Sequence, residues 1–321
     1  MNIGKMIVPV IISFIIVVVL MPLFIKLMVA NQEGQQIRAD GPSWQEYKNG
    51  TPTMAGIIFL VAIVLSSLWV ASWQELFSNS LMLVNLMLLL FGIIGFLDDF
   101  IKLKNHRNLG LLAWQKSSLQ VIFAIIFCVL YFHYHFPIDL QFFGYIFHSP
   151  VLYVIFILLW LVGFSNAVNL TDGLDGLVTG LSIIAYLTYA YIAYQQQNDD
   201  ILLVCLSVVG AMVGFFLFNH KPAKIFMGDV GSLALGAGLA AISLVLDCPW
   251  SLLWIGIVFV VETLSVIIQV AVFKTTGHRV FKMSPIHHHF EMLGWSEWKV
   301  VGVFWTVGLI AALSYILIFV G

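Results

Sequence analysis

The stretch NAVNLTDGLDGL, residues 166–177, decides how this chain is read. It gathers two amides (Asn166, Asn169), two carboxylates (Asp172, Asp175) and two glycines (Gly173, Gly176). The run before it, 151–163, is almost wholly apolar, and so is the run that begins at Leu177. A polar knot of this kind is costly in hydrocarbon, so it belongs at the end of a membrane helix, facing a water-filled site. Asp172 and Asp175 are three apart and share a face if the helix continues through them. The glycines let backbone or ligand come close. The plain alternative is a polar cap and turn between two membrane helices. Two Asp-Gly pairs beside two asparagines weigh against it, because intramembrane charge is expensive.

Working outward, the 321 residues are 61% hydrophobic and 9% charged, with a mean hydropathy of +1.02. Soluble domains carry about 25% charged residues. The composition therefore predicts an all-α polytopic membrane protein, one integral membrane domain over 1–321. Cys128, Cys205 and Cys248 are far apart, lack metal spacing and read as packing residues. The first apolar run, 6–23, exceeds the ~7–15 residues of a signal-peptide core and has no convincing cleavage site, so it reads as a retained helix. Ten segments approach the ~20 apolar residues that a helical span needs: 6–28, 53–73, 80–97, 117–136, 151–168, 177–194, 201–218, 231–246, 252–273 and 299–320.

Charge tests that count. Lys26, Arg38 and Lys48 flank or occupy the first connection, and Lys102, Lys104, Arg107 and Lys116 the third. Lys221 and Lys224 lie in the seventh, and Lys274, Arg279, Lys282 and Lys299 in or beside the ninth. All fall on one side of a ten-span chain; Lys5 alone falls on the other. The positive-inside rule makes the crowded side cytoplasmic and both termini extracytoplasmic. The opposite connections carry Glu75, Asp139, Asp199, Asp200 and Asp247 without Lys or Arg. Gly210 with Gly214, and the row Ser232, Gly236, Ala240, are small-residue repeats that let helices approach. The absence of an internal repeat counts mildly against repeat-built transporters.

The same side collects unusual polar residues. Asp98 and Asp99 are read as ending the third span; Asp172 and Asp175 follow the fifth; Asp229 precedes the eighth; His287, His288 and His289 follow the ninth. Each has a bland reading. Asp98-Asp99 could be balanced by Lys102 and Lys104, although acids at a helix carboxyl end oppose its dipole. Asp229 could simply be an N-cap. Three consecutive histidines cannot all point one way, so two acting and one packing is the expectation. Glu262, inside the ninth span, suggests a buried polar partner. Clustered oxygen ligands beside lysines suit a hard cation and phosphate, as Mg²⁺ prefers. Phosphoryl-type transfer mainly needs positioning and charge neutralisation. The set therefore points to a Mg²⁺-dependent phosphotransferase working between a nucleotide-linked substrate and a membrane lipid. The rival class is a cation- or proton-coupled transporter, whose acids should lie nearer the bilayer midplane.

GTPTMAG (50–56), GFLDDF (95–100), NAVNLTDGLDGL (166–177), FMGDVGSL (226–233) and PIHHHFE (285–291) together resemble the phospho-N-acetylmuramoyl-pentapeptide transferase family, over essentially the whole chain. The DD and DGxDG strings are similar across the wider polyprenyl-phosphate N-acetylhexosamine-1-phosphate transferase superfamily; GTPTM and HHH resemble the muramoyl branch more closely. Ala55 stands where the family usually has glycine, a small departure. The resemblance implies a bacterial cytoplasmic-membrane enzyme with its active site on the cytoplasmic face. It implies transfer of phospho-MurNAc-pentapeptide from UDP-MurNAc-pentapeptide to undecaprenyl phosphate, giving lipid I and UMP. Mg²⁺ and a homodimer are implied too; no nucleic-acid partner is expected. On this sequence, Asp229 would ligate Mg²⁺, and Asp98, beside Asp99, would be base or nucleophile. Asn166, Asn169, Asp172, Gly173 and Asp175 would line the nucleotide pocket, with Phe226 stacking on uracil. His288 and His289, with His287, would contact the donor, Gln269 lying nearby. Lys48, Lys104 and Lys116 would contact phosphate. A sister transferase using UDP-GlcNAc is the near alternative.

Overall fold

The computed structural model describes residues 3–30, 48, 50–105, 109–142 and 145–320. Arg38 and Arg107, two charges used to orient the chain, lie outside the described residues, as does the Lys5 side chain. The chain is an all-α multi-pass membrane protein. Among the described residues, ten helices are long and apolar enough to cross a membrane. They are α1 (Ile3–Ala30), α2 (Gly56–Gln74), α3 (Asn79–Lys104), α4 (Ala113–His133), α5 (Pro150–Thr171), α6 (Leu177–Gln195), α7 (Asp199–Asn219), α8 (Gly228–Val245), α10 (Ile257–Thr276) and α12 (Glu297–Tyr315). Two short helices, α9 (Ser251–Ile255) and α11 (Ile286–Glu291), sit among them, and a π-helical turn Ile316–Val320 extends the last span.

The span count matches the sequence, and four local expectations need correction. The segment 252–273 is not one helix: Gly256 separates α9 from α10. The third span runs on to Lys104, so Asp98 and Asp99 lie inside α3 rather than at its carboxyl end. The dipole argument therefore lapses, and Lys102, one turn on, supplies the neutralising charge. α5 stops at Thr171 with Asp172 as its C-cap, so Asp172 and Asp175 share no helical face. The N-cap of α8 is Met227; Asp229 lies in the first turn and its carboxylate is used elsewhere. The sequence also gave no sign of the hairpin β1 (Leu140–Phe142) and β2 (Tyr145–Phe147), paired antiparallel between α4 and α5.

Small residues set the packing. α8 is almost entirely buried, wedged between α3 and α5. At Gly236 an added Cβ would stand 2.3 Å from the Phe164 carbonyl oxygen of α5, and at Gly210 one would stand 2.2 Å from the Val10 carbonyl of α1. The closest approach to another helix's backbone is at Gly95 of α3, where a Cβ would meet the Asp229 carbonyl oxygen at 2.1 Å. That contact forces α3 and α8 together where both carry acids. Trp160 on α5 ties the interior with an indole N–H to Ser243 on α8, 3.0 Å away.

Candidate active site

The α3–α8 crossing assembles three carboxylates. One oxygen each of Asp98, Asp99 and Asp229 lie within 4.8 Å of one another. Asp98 and Asp99 are 4% exposed, so each needs partners close by. Asp98 Oδ1 accepts the Leu111 N–H at 2.9 Å, and Asp99 Oδ2 accepts the Val230 N–H at 3.2 Å. Asp229 accepts from Lys116 Nζ at 2.8 Å and from the Asn169 amide at 2.8 Å; that amide also donates to Ser232 Oγ at 2.9 Å. Lys102 Nζ meets all three acids, at 2.5 Å (Asp98), 3.4 Å (Asp99) and 3.2 Å (Asp229). Hard oxygen donors at this density fit a divalent cation, and Asp229 in the first turn of α8 is favoured by the helix dipole.

Beside this cluster lies the loop 172–176. Asp172 is half-buried, and its carboxylate has no side-chain partner among the described residues. Burial, then the charges of Asp229 and Asp99, push its pKa up to about 8. Asp175 is held from three directions. Its Oδ1 meets Lys48 Nζ at 2.7 Å, its Oδ2 accepts the Ala223 N–H at 3.0 Å, and its own N–H donates to Glu297 Oε1 at 2.8 Å. Lys48 also meets Glu297 at 2.6 Å. Burial pulls the Lys48 ammonium down, but Glu297 and Asp175 outweigh it and hold its pKa above the usual lysine value.

The histidine stretch docks onto this loop. His287 Nδ1 and Glu262 Oε1 are 3.1 Å apart, both side chains fully buried. A Cβ on Gly173 would stand 2.3 Å from His287 Nε2, so glycine there lets α11 seat against the 172–176 loop. His288 Nδ1 pairs with Glu291 at 2.7 Å, while burial, partly offset by Glu291, holds its pKa below the usual histidine value. His289 Nδ1 accepts the Lys282 N–H at 3.1 Å, which leaves the proton of a neutral ring on Nε2.

The structure thus brings Asp98, Asp99, Asp229, Lys116 and Asn169 into one cluster, and Lys48, Asp172, Gly173, Asp175 and His287 onto the loop beside it. Phe226 is half-buried; its N–H donates to Pro52 O at 2.9 Å and its carbonyl accepts the Ala55 N–H at 3.1 Å, splicing 50–56 to 226–233. Asn166 donates instead to Gln120 Oε1 at 3.0 Å, away from the carboxylates. Gln269 spends its amide on the loop backbone, accepting from Val280 and Phe281 and donating to the Phe281 carbonyl. Lys104 is exposed at the end of α3, outside the acid cluster; Lys102 meets the acids instead. From the sequence Lys102 was read only as a charge balancing Asp98 and Asp99, and Glu297 was not picked. Lys102 was legible, standing three and four residues after the two acids. Glu297 was not, since its partners Lys221, Asp175 and Lys48 all lie in distant segments of the chain.

Residues 80–247 match glycosyl transferase family 4. The chain is 58% identical over 308 residues to a phospho-N-acetylmuramoyl-pentapeptide-transferase of Lactobacillus helveticus, covering 95% of each. It is 59% identical over 312 residues to one of Lactobacillus gasseri, covering 97% of this chain and 98% of the relative. With one of Lacticaseibacillus paracasei it shares 53% over 327 aligned positions, 99% and 100% of the two chains.

Proposed function

The chain belongs to the phospho-N-acetylmuramoyl-pentapeptide-transferase family, and from that premise we propose that it transfers phospho-MurNAc-pentapeptide from UDP-MurNAc-pentapeptide to undecaprenyl phosphate. The products are lipid I and UMP, in the first membrane step of peptidoglycan synthesis. It works as one integral membrane unit of the bacterial cytoplasmic membrane, both termini outside and the active site on the cytoplasmic face, as a homodimer. The observation that carries this reading is the meeting of Asp98, Asp99 and Asp229 with Lys102 and Lys116 beside the 172–176 loop.

Asp229, with Asp98 and Asp99 beside it, would hold Mg²⁺, which when bound supplies charge neutralisation for the diphosphate. A phosphate oxygen of undecaprenyl phosphate attacks the sugar-bound phosphorus of the donor. The bond from that phosphorus to the bridging oxygen breaks, and UMP departs with the electron pair. Lys116 and Lys102 stand where developing phosphate charge is stabilised. Asp98 is the candidate base for any proton on the lipid phosphate. Its oxygens are held by the Leu111 N–H and Lys102, and the rival role is a covalent phospho-enzyme. Asn169, Asp172, Gly173 and Asp175 line the nucleotide pocket, with Phe226 stacking on uracil; Lys48 is a phosphate contact, and His288 and His289 address the donor's phosphates or sugar.

The test is turnover by purified protein in detergent with Mg²⁺ and undecaprenyl phosphate, offered UDP-MurNAc-pentapeptide or UDP-GlcNAc. Lipid-linked product and UMP from the muramoyl donor alone are expected. Product from UDP-GlcNAc alone would move the chain to the sister activity. UMP released without lipid acceptor would replace the direct displacement by the covalent route.

A further inference from the structure

We infer that Glu297 is a positioning residue for the donor nucleotide, holding Lys48 and the 172–176 loop in register before the donor arrives. The inference rests on the reading of that loop as the nucleotide pocket. Glu297 sits in the first turn of α12 and is 5% exposed. The other side chains that α12 buries are apolar, so its packing does not call for a charge. An acid in a first turn satisfies the helix dipole equally well in water, whereas burying it is costly unless it is fully paired.

It is paired on both oxygens. Oε1 takes Lys48 Nζ at 2.6 Å and the Asp175 N–H at 2.8 Å; Oε2 takes Lys221 Nζ at 2.8 Å. One carboxylate thus joins residue 48, the 172–176 loop and the segment after α7, reinforcing the Lys48–Asp175 ion pair and the bond from the Ala223 N–H to Asp175. Lys48 is itself 7% exposed and bridges Glu297 to Asp175 Oδ1. Among the described residues, two ammonium groups and two carboxylates meet here as a quartet. Without Glu297, the Asp175 N–H would lose its acceptor, and Lys48 and Lys221 would lose the counter-charge they share. Glu297 has no hydrogen bond or ion pair with Asp98, Asp99 or Asp229. Its effect falls on nucleotide binding rather than on the displacement step, because pre-organised contacts raise affinity by removing ordering costs.

Glu297→Gln keeps the shape and an acceptor for the Asp175 N–H but removes the charge. Full-length protein in detergent would be titrated calorimetrically with UMP and assayed with both substrates. The UMP Kd and the donor KM should rise about tenfold to hundredfold, the range for losing a charge-assisted hydrogen bond. The kcat and the KM for undecaprenyl phosphate should stay close to wild type, and Glu297→Asp should recover part of the loss. Lys221→Met, on the open side of the quartet, should shift the UMP Kd in the same direction by less. An unchanged UMP Kd in Glu297→Gln, or a fall in kcat with both KM values unchanged, overturns the inference. If Glu297→Gln does not fold, an unchanged Kd in both Glu297→Asp and Lys221→Met overturns it. Wild-type protein that fails to bind UMP would overturn the nucleotide reading itself, and this inference with it.

Discussion

Gly95→Ala tests whether the α3–α8 crossing sets the catalytic geometry. The added Cβ would lie 2.1 Å from the Asp229 carbonyl oxygen, 2.2 Å from its carbon and 2.3 Å from the Val230 nitrogen. These are backbone atoms, and no rotamer change removes them. Ordinary contact begins at 3.4 Å, so the fit is short by about 1.3 Å (3.4 less 2.1), and the first turn of α8 must retreat by roughly an ångström. Asp229 rides on that turn, while Asp98 and Asp99 stay on α3. A misplacement of about 1 Å costs about 10²-fold in rate, and overpacking a tight core costs about 1–3 kcal/mol of stability. The assay is initial-rate UMP release by purified variants, with thermal midpoints measured alongside. Gly163→Ala is the control, since a Cβ there meets nothing within 4 Å. Gly95→Ala should lose about 10²-fold in kcat with a lowered midpoint, and Gly163→Ala should match wild type. Full kcat and an unchanged midpoint in Gly95→Ala would refute the geometric argument.

Asp229→Ala should remain folded by size-exclusion and thermal melting yet lose about 10²–10³-fold or more in kcat, the scale of removing one main electrostatic group; retained turnover would remove Asp229 from the cation site. Asp172→Asn should raise the thermal midpoint in chelator-treated protein, and the gain should grow from pH 5 to pH 9. The sign follows from a folded pKa of about 8, above the unfolded carboxylate value: the stability contribution is present at low pH and lost as pH rises through about 8. A gain that shrinks as pH rises would contradict the burial argument.

Hydropathy and the placement of lysines gave ten spans and a site at one end of them, because lipid imposes length and charge sidedness on any crossing chain. Boundaries were less legible. The apolar count stopped at Leu97 because Asp98 and Asp99 follow, yet α3 continues for another two turns with Lys102 offsetting the acids. The Gly256 break is invisible in hydropathy, since both sides are equally apolar. Asp98, Asp99 and Asp229 stood out as acids in an apolar chain. Glu262 also stood out, but its partner His287 becomes identifiable only once α11 folds back on α10. Asn166 and Gln269, expected near the donor on the resemblance, hydrogen-bond Gln120 and the 280–281 backbone in this structure. An amide in a polar knot serves protein or substrate equally well, and only geometry separates the two.

Lys102 has a second consequence, for how the protein is made. During translation α3 reaches the bilayer long before α8 exists, so Asp98 and Asp99 must partition into lipid without Asn169, Lys116 or the Val230 N–H that later surround the cluster. A lone aspartate at the centre of a nascent span costs about 2.5–3.5 kcal/mol on the translocon scale, less towards the interface. Lys102 is carried on the same helix, one turn away, and travels with the acids as a ready-made counter-ion. Its counter-charge is in place before the rest of the cluster is made. The amount of protein that reaches the membrane and the turnover of each molecule are therefore separate readouts of this one side chain.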